Sequence, residues 1–208
     1  MRIITINREF GSGGREVGKR LADVLHYRYY DSEIINAISL ESNMDEGYVS
    51  SMLESGSFWD FPITYGNTFA SFAEPQSNLT RLLVAERRVI LDIAKKGENC
   101  VIVGRNADEI LHGYHPFKIF VYAEMHSKIA RCMEREKDGS HMNEKEMKKR
   151  IERIDSVRRR RNQLVGGGKW GAKESYNLCV NTTGCEIKKI VPGIADYIKA
   201  WFESGHAE

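Results

Sequence analysis

The glycine-rich segment at residues 8–16 has the residue types that could bind a phosphate group. It reads Arg-Glu-Phe-Gly-Ser-Gly-Gly-Arg-Glu and lies between an apolar strand pattern at 3–6 and a helical pattern at 17–25. In a strand–loop–helix unit, consecutive backbone N–H groups and the helix N-terminus can point at one anion. The glycines could instead serve only a tight turn, but the context favours phosphate binding. The candidate phosphate-binding residues are Gly11, Ser12, Gly13, Gly14 and Arg15.

This loop departs from the usual phosphate-binding pattern, G-x-x-x-x-G-K-[ST]. With Arg8 at the first glycine position, Gly14 stands in place of the lysine and Arg15 in place of the hydroxyl residue. Arg15 could supply the lost positive charge, although its planar guanidinium is not equivalent to an ammonium group. The missing hydroxyl leaves Mg²⁺ without its usual protein ligand. A second near match at 13–19 falls inside the helical pattern, so we interpret it as helix.

The elements that must position the loop alternate along the chain. Apolar runs predict five strands, at 3–6, 27–30, 100–103, 118–122 and 176–181. Helical patterns separate them, most clearly at 17–25, 79–95 and 126–137. Strands that alternate with helices predict an α/β fold class, with a parallel sheet covered on both faces.

We interpret residues 1–208 as one domain. Two of its segments are additions to a minimal α/β core. Residues 40–78 predict an inserted helical or irregular region. Residues 124–165 predict a charged helical hairpin that turns near 138–140. The aromatic residues of the first segment are better explained as its small core than as a base-stacking platform. They are Phe58, Trp59, Phe61, Tyr65, Phe69 and Phe72.

The overall composition limits the class of protein. The net charge is +2, so the whole molecule does not indicate a polyanionic partner. Its four cysteines form no C-x-x-C pair, which fits reduced thiols in the cytosol. No apolar run approaches the ~20 residues that span a bilayer, and the start lacks a secretory apolar region. We expect a cytoplasmic protein with small-molecule partners and no membrane association; the sequence leaves the oligomeric state undetermined.

Arginines of the 124–165 hairpin could supply the positive charge that phosphoryl transfer requires. Arg131 and Arg135 are four residues apart and therefore share a helix face. Asp155 precedes Arg158 by three residues and Arg159 by four, so it could hold either guanidinium in place.

Four consecutive arginines occupy positions 158–161. Few of them can face a single cleft, so we expect at least one to bind phosphate and the others to be surface charge. A nucleic-acid patch is the weaker interpretation, because the chain is only moderately basic and no RNA-binding motif accompanies the run.

Asp31 and Arg105 each follow a predicted strand. They would therefore lie at the sheet edge where ligands bind in open α/β folds. There they could bind a phosphate or sugar group of the ligand. Asp31 could instead cap the next helix, and Arg105 could pair with a nearby acid. His112 and His115 have no further ligand in view, so we predict no protein metal site.

Several segments, in their order along the chain, resemble the cytidylate kinase-like proteins, a branch related to the nucleoside monophosphate kinases. Their order and spacing carry the resemblance more than any single motif does. The segment at 40–78 has the least support. The matching segments are 8–16, 30–33, 103–106, 118–121, 155–158, 169–171 and 176–181.

The resemblance implies a P-loop kinase-like three-layer α/β/α sandwich with a five-stranded parallel sheet. The 40–78 insertion would bind the acceptor and the 124–165 hairpin would be a lid. It also implies transfer of the γ-phosphoryl group of ATP, with Mg²⁺, to a nucleoside monophosphate such as CMP.

The resemblance also implies site roles for residues of the hairpin. Arg131 and Arg158 would reach phosphates from the lid, and Asp155 would orient an arginine or touch the acceptor. The candidacy of Arg135 rests on helix spacing alone.

Two residues depart from the better-studied monophosphate kinases. Gly14 replaces the lysine, and Asn106 replaces the aspartate that follows Gly-Arg. Two alternatives therefore stay open: a nucleotide-binding protein without kinase activity, and a kinase for a different small acceptor.

Overall fold

A five-stranded parallel sheet forms the centre of the protein. The computed structural model describes residues 1–55, 73–135, 142–166 and 168–205. The strand order is β2-β3-β1-β4-β5. The strands are β1 (Ile3–Arg8), β2 (Arg28–Tyr30), β3 (Cys100–Val103), β4 (Phe117–Tyr122) and β5 (Leu178–Asn181).

Helices connect the strands and cover the sheet. A π-helical turn at Ser51–Ser55 and 3-10 turns at His112–Tyr114 and Lys173–Ser175 join them. The helices are α1 (Gly14–Leu25), α2 (Glu33–Ser42), α3 (Glu46–Ser50), α4 (Ala73–Lys95), α5 (Ala107–Ile110), α6 (Met125–Arg135), α7 (Glu144–Leu164) and α8 (Ile187–Glu203).

Two apolar cores lie on opposite faces of the sheet, because successive strand side chains point to opposite faces. On β1, Ile3 packs with α2 and α4, whereas Ile4 packs with α1 and α8. On β3, Ile102 belongs to the first core and Val103 to the second. This alternation gives the three-layer α/β/α sandwich and confirms the predicted fold class.

The five predicted strands are all present, with shifts of one or two residues at four of their ten ends. β1 extends to Arg8, so the last strand residue is also the first residue of the loop. α4 begins earlier than the pattern at 79–95 indicates. α8 is a helix that the sequence analysis does not predict. Its buried side chains nevertheless follow a helical period; they are Ile187, Val191, Ile194, Ala195, Ile198 and Phe202.

The two unusual segments are only partly described. α6 and α7 pack together as the predicted hairpin, and its predicted turn at 138–140 lies outside the described residues. The described ends of 40–78 are helical, and Val49 and Leu53 join the core beside α2. The six aromatic residues of that segment also lie outside the described residues. No helix in the described ranges is long and apolar enough to cross a membrane.

Candidate active site

The carboxyl ends of four strands bring polar residues together at one edge of the sheet. Arg8 ends β1, and Asp31 directly follows β2. Gly104 and Arg105 follow β3, and Thr182 follows β5. Because all five strands are parallel, these ends share one edge, which is where open α/β folds bind ligands. Asp31 and Arg105 therefore lie where the sequence predicts.

The glycine-rich loop runs from the end of β1 into the N-terminus of α1. Gly13 is the N-cap of α1 and has φ +79°, a left-handed backbone that favours glycine. A Cβ atom there would lie 2.2 Å from Ile187 Cδ1. The helix begins at Gly14, and Gly18 and Lys19 lie inside it. The register with Gly14 in the lysine position therefore describes the loop, and the near match at 13–19 is helix.

Hydrogen bonds hold the loop carbonyls toward the protein. Thr182 Oγ1 donates to the Ser12 carbonyl at 2.7 Å, and Ser12 Oγ donates to the Glu9 carbonyl at 2.8 Å. Arg131 donates to the Gly11 carbonyl at 3.3 Å and to the carbonyl of Thr182. The first N–H groups of α1, by contrast, have no partner within the helix. The Ser12 N–H donates to the Glu9 carbonyl at 3.4 Å, so the N–H groups at the start of α1 are the ones that could bind an anion.

A buried ion network fastens the lid helices to the loop. Lys128 of α6 is 5% exposed, and its Nζ lies 3.0 Å from Glu9 Oε2 and 3.5 Å from Asp155 Oδ2. Asp155 Oδ1 accepts a hydrogen bond from the Phe10 backbone N–H at 2.7 Å. Burial raises the pKa of Asp155, and the Phe10 hydrogen bond opposes that rise. Through this network Asp155 contacts both the loop backbone and Lys128 of α6.

Three arginines and one aspartate meet beside the loop. Arg158 of α7 donates to the Arg8 carbonyl at 3.0 Å. The Arg8 guanidinium lies 3.8 Å from Asp31 Oδ1, and Arg105 is 7% exposed with φ +63°. Burial, followed by the charge of Arg158, lowers the pKa of Arg8 to about 9, so Arg8 stays protonated at neutral pH. The cluster carries more positive than negative charge, which favours an anionic ligand.

The remaining predicted arginines have other contacts. The Arg15 Nε pairs with Asp31 Oδ2, and the side chain is 59% exposed. Arg135 is exposed and pairs with Glu16 at 2.8 Å. Arg131 binds loop and β5 carbonyls, as described above. Arg15 and Arg135 are thus exposed and paired with carboxylates, although both line the loop–lid cleft, while Arg158 lies against the start of the loop.

Two cavities adjoin this cluster. The loop–lid cleft, of 500 Å³, is lined by residues of the loop, α6 and α7, among them Phe10, Gly13 and Arg131. The inner cavity, of 50 Å³, is lined by Asn7, Arg105 and Trp170, among others. Arg8 and Arg158 line both cavities. These two arginines therefore stand where a donor in the cleft would meet an acceptor in the inner cavity.

The run 158–161 divides its arginines among different environments. Arg159 lies over the Trp170 ring, 5.4 Å from its centroid. Arg161 is buried, and its Nη2 pairs with both oxygens of Glu86 at 2.8 and 2.9 Å. The expectation that the arginines other than the phosphate ligand are surface charge is therefore wrong for Arg161. The reason is that α4 supplies a buried carboxylate, which the sequence does not place next to α7.

Other site residues were also missed by the sequence analysis. Lys128 and Thr182 touch the loop from α6 and from the end of β5, and no local pattern marks either of them. Arg8 has a signal in the sequence, since it follows an apolar strand and occupies the first glycine position of the loop pattern.

A model of the cytidylate kinase-like family matches residues 3–184. The chain belongs to this family. No curated protein matches it.

Solved structures share the fold. An uncharacterized protein from Eubacterium ventriosum ATCC 27560 is 24% identical with a TM-score of 0.64, covering 96% of this chain and 99% of that one. A shikimate kinase from Bacteroides thetaiotaomicron is 14% identical with a TM-score of 0.57, covering 95% and 98%. A gluconokinase from Sinorhizobium meliloti 1021 is 14% identical with a TM-score of 0.52, covering 99% and 98%. The family member thus has the fold of P-loop kinases.

Proposed function

We propose that this protein is an ATP-dependent kinase that transfers the γ-phosphoryl group to a nucleoside monophosphate such as CMP. The observation that carries this proposal is the meeting of a phosphate-type loop with Arg8, Arg105 and Arg158 between two cavities. Family membership and the shared kinase fold support the same conclusion.

The loop residues fit the phosphates of a nucleotide. Gly11, Gly13 and Gly14 leave a backbone cradle at the start of α1, and the Gly11 and Ser12 carbonyls are hydrogen-bonded elsewhere. Mg²⁺, bound together with the nucleotide, would offset the charge of the donor phosphates. We infer that the phosphates and water hold most of its coordination, because Arg15 replaces the hydroxyl residue and Ser12 donates within the loop.

The reaction needs positioning and positive charge more than it needs a catalytic base. An oxygen of the acceptor's phosphate attacks the γ-phosphorus and forms the new P–O bond. The bond from the γ-phosphorus to the β–γ bridging oxygen breaks, and its electron pair stays on ADP. A phosphate monoester has its second pKa near about 6, so the attacking oxygen is mostly unprotonated at neutral pH. Arg158 and Arg105 are proposed to offset the charge on the donor and acceptor phosphates.

The lid would exclude water, which otherwise competes as the nucleophile. The Lys128–Glu9–Asp155 network supports this role, because it connects both lid helices to the start of the loop. Asp31 would bind the acceptor or hold Arg15 and Arg8 in place.

Specific observations favour each alternative. The inner cavity holds only 50 Å³, which favours an acceptor smaller than a nucleotide. The absence of the loop lysine and hydroxyl favours a nucleotide-binding protein without kinase activity.

One experiment separates these functions. The protein is incubated with ATP, Mg²⁺ and each member of a panel of nucleoside monophosphates and small hydroxy-acid acceptors, and ADP formation is measured. Turnover with CMP alone supports the proposal, and turnover with a hydroxy acid alone supports the small-acceptor alternative. Nucleotide binding without turnover on any acceptor favours the binding protein. No nucleotide binding contradicts all of these functions.

The proposed role of Arg15 is tested by Arg15→Ala. If Arg15 supplies charge to the phosphates, the variant binds ATP about tenfold more weakly, as expected for one charge-assisted hydrogen bond. Arg20→Ala is the matched control, since Arg20 is exposed on the same helix and pairs with Glu16. Equal ATP affinity and rate in the Arg15 variant would rule out this role.

A further inference from the structure

Gly14 is a glycine because the side chain of Arg8 occupies the space next to it. A Cβ atom at Gly14 would lie 2.6 Å from Arg8 Cβ and 3.1 Å from Arg8 Cγ. Gly14 does not have the positive φ of Gly11 and Gly13, so its backbone does not require glycine. The aliphatic part of the Arg8 side chain therefore explains why position 14 is a glycine. It also leaves no room for a lysine at that position.

The two departures from the loop pattern are thus reciprocal. In G-x-x-x-x-G-K-[ST], the first position is glycine and the seventh is lysine. Here the first is Arg8 and the seventh is Gly14. Relative to the usual pattern, the cationic residue is at the end of β1 instead of the start of α1. The glycine is at the start of α1 instead of the end of β1.

The Arg8 side chain continues from Gly14 to the turn after β3. A Cβ atom at Gly104 would lie 1.9 Å from Arg8 Nη1 and 3.1 Å from Cζ. The guanidinium therefore lies directly on the Gly104 backbone, with φ +77°. Two glycines on different elements make room for one arginine, which fixes the path of its side chain.

The guanidinium lies where the two cavities meet. Arg8 lines the loop–lid cleft and the inner cavity, and its side chain is 13% exposed. In the described part of the chain its ion-pair partner is Asp31, at the long distance of 3.8 Å. Arg158 and Arg105 add like charge beside it. A phosphoryl group bound beside Arg8 would add negative charge to this cluster, in which Arg158 also lies 3.7 Å from Asp155 Oδ1.

We propose that Arg8 is a catalytic residue that replaces the missing loop lysine, with its guanidinium binding the phosphoryl group as it passes from donor to acceptor. The proposal rests on the proposed phosphoryl transfer. A guanidinium can bind two oxygens at once, so Arg8 can contact the β–γ bridge region and a γ-oxygen together. Arg15 lines the loop–lid cleft as well, but its side chain is 59% exposed and it does not line the inner cavity, whereas Arg8 lines both.

The test compares Arg8→Ala, Arg8→Lys, Arg8→Gly, Gly14→Lys and the exchange variant Arg8→Gly/Gly14→Lys, with Arg20→Ala as a surface control. Calorimetry measures binding of inorganic tripolyphosphate and of ATP with Mg²⁺, and ADP formation measures turnover on the best acceptor of the wild type. Circular dichroism and thermal unfolding establish that each variant is folded.

We expect Arg8→Ala to bind tripolyphosphate and ATP about 10- to 100-fold more weakly and to lower kcat about 100-fold or more. We expect Arg8→Lys to retain part of the anion affinity and part of kcat. Gly14→Lys alone disrupts the loop, because its Cβ would lie 2.6 Å from Arg8 Cβ. The exchange variant removes that overlap, restores the glycine and lysine of the usual loop pattern while Arg15 stays at the hydroxyl position, and binds more tightly than Arg8→Gly.

Several results would overturn the proposal. One is a folded Arg8→Ala variant that binds tripolyphosphate and ATP as the wild type does. Another, which applies even where Arg8→Ala does not fold, is an exchange variant no better than Arg8→Gly. If the wild type binds tripolyphosphate but not ATP, the proposed kinase function fails and the Arg8 variants still decide the phosphate contact. If the wild type binds neither anion, both proposals fail.

Discussion

Arg161 borders the inner cavity, but its guanidinium is bound to another part of the fold. Its Nη2 pairs with Glu86, which is 1% exposed, and its Nη1 donates to the Leu53 carbonyl at 2.6 Å. The contact joins α7 to α4 and to the π-helical turn. Removing one partner would leave the other charge buried and unpaired, which costs far more than the pair contributes.

Arg161→Ala should therefore lower the free energy of unfolding by about 3–5 kcal/mol. Urea unfolding measures the loss. The double variant Glu86→Leu/Arg161→Met is the control, and it should lose much less, because it leaves no buried charge. An equal loss in both variants would contradict this explanation.

Asp108 gives a pH-dependent prediction. It is 4% exposed and accepts a hydrogen bond from Asn7 at 2.8 Å, and burial raises its pKa, with nearby Glu109 adding and Lys118 opposing. Because the pKa of Asp108 is higher in the folded than in the unfolded state, ionisation of this carboxyl group destabilises the fold as the pH rises. Below the ordinary pKa of an aspartate the group is protonated in both states, so it has no such effect.

Asp108→Asn should thus gain stability relative to the wild type as the pH rises above about 4, the ordinary range of an aspartate pKa. Urea unfolding at several pH values measures the difference. A difference that is independent of pH, or that shrinks with rising pH, would show that burial does not control this carboxyl group.

At the scale of elements, α7 determines where the lid meets the loop. It begins with a capping box, in which Asn143 accepts from the Glu146 N–H at 3.0 Å and Glu146 accepts from the Asn143 N–H at 2.9 Å. The same helix carries Asp155 and Arg158 to the loop and Arg161 to α4. The start of α7 therefore stabilises the helix that presents these contacts.

Asn143→Ala should cost about 1 kcal/mol of helix stability. We expect faster hydrogen exchange in the first turns of α7, measured by mass spectrometry, with the sheet amides unchanged. Lys145→Ala, an exposed change in the same turn, serves as the control. Unchanged exchange in α7 would contradict the role of the cap.

At the scale of the whole molecule, the excess positive charge at the sheet edge couples ligand binding to stability. A ligand that binds only the folded state adds about 2.7 kcal/mol at a concentration 100-fold above its Kd. For a chain of this size each kcal/mol raises Tm by about 2–4 °C.

ATP at 100-fold above its Kd should therefore raise Tm by about 5–10 °C, measured by calorimetry. Adenosine, which lacks phosphates, is the control and should produce little change. An equal shift with adenosine would show that the base, and not the phosphate loop, dominates binding.

Local patterns in the sequence determined the strands, most of the helices and the loop register. Apolar period and glycine position depend on neighbouring residues alone, which is why the five strands and the start of α1 could be predicted. The same local patterns also indicated which residues lie at the carboxyl edge of the sheet, since Asp31 and Arg105 follow strands. α8 was predictable from its period in the same way.

Only the tertiary structure decided which charges meet. Arg158 and Arg8 are 150 positions apart, and Lys128 and Glu9 are 119 apart. Such pairs depend on how helices cross the sheet and pack, which no local spacing encodes. The sequence alone thus showed a phosphate loop that had lost its lysine. The packing of Arg8 against Gly14 and Gly104 appears only in the tertiary structure, because steric exclusion acts between residues that the fold has brought into contact.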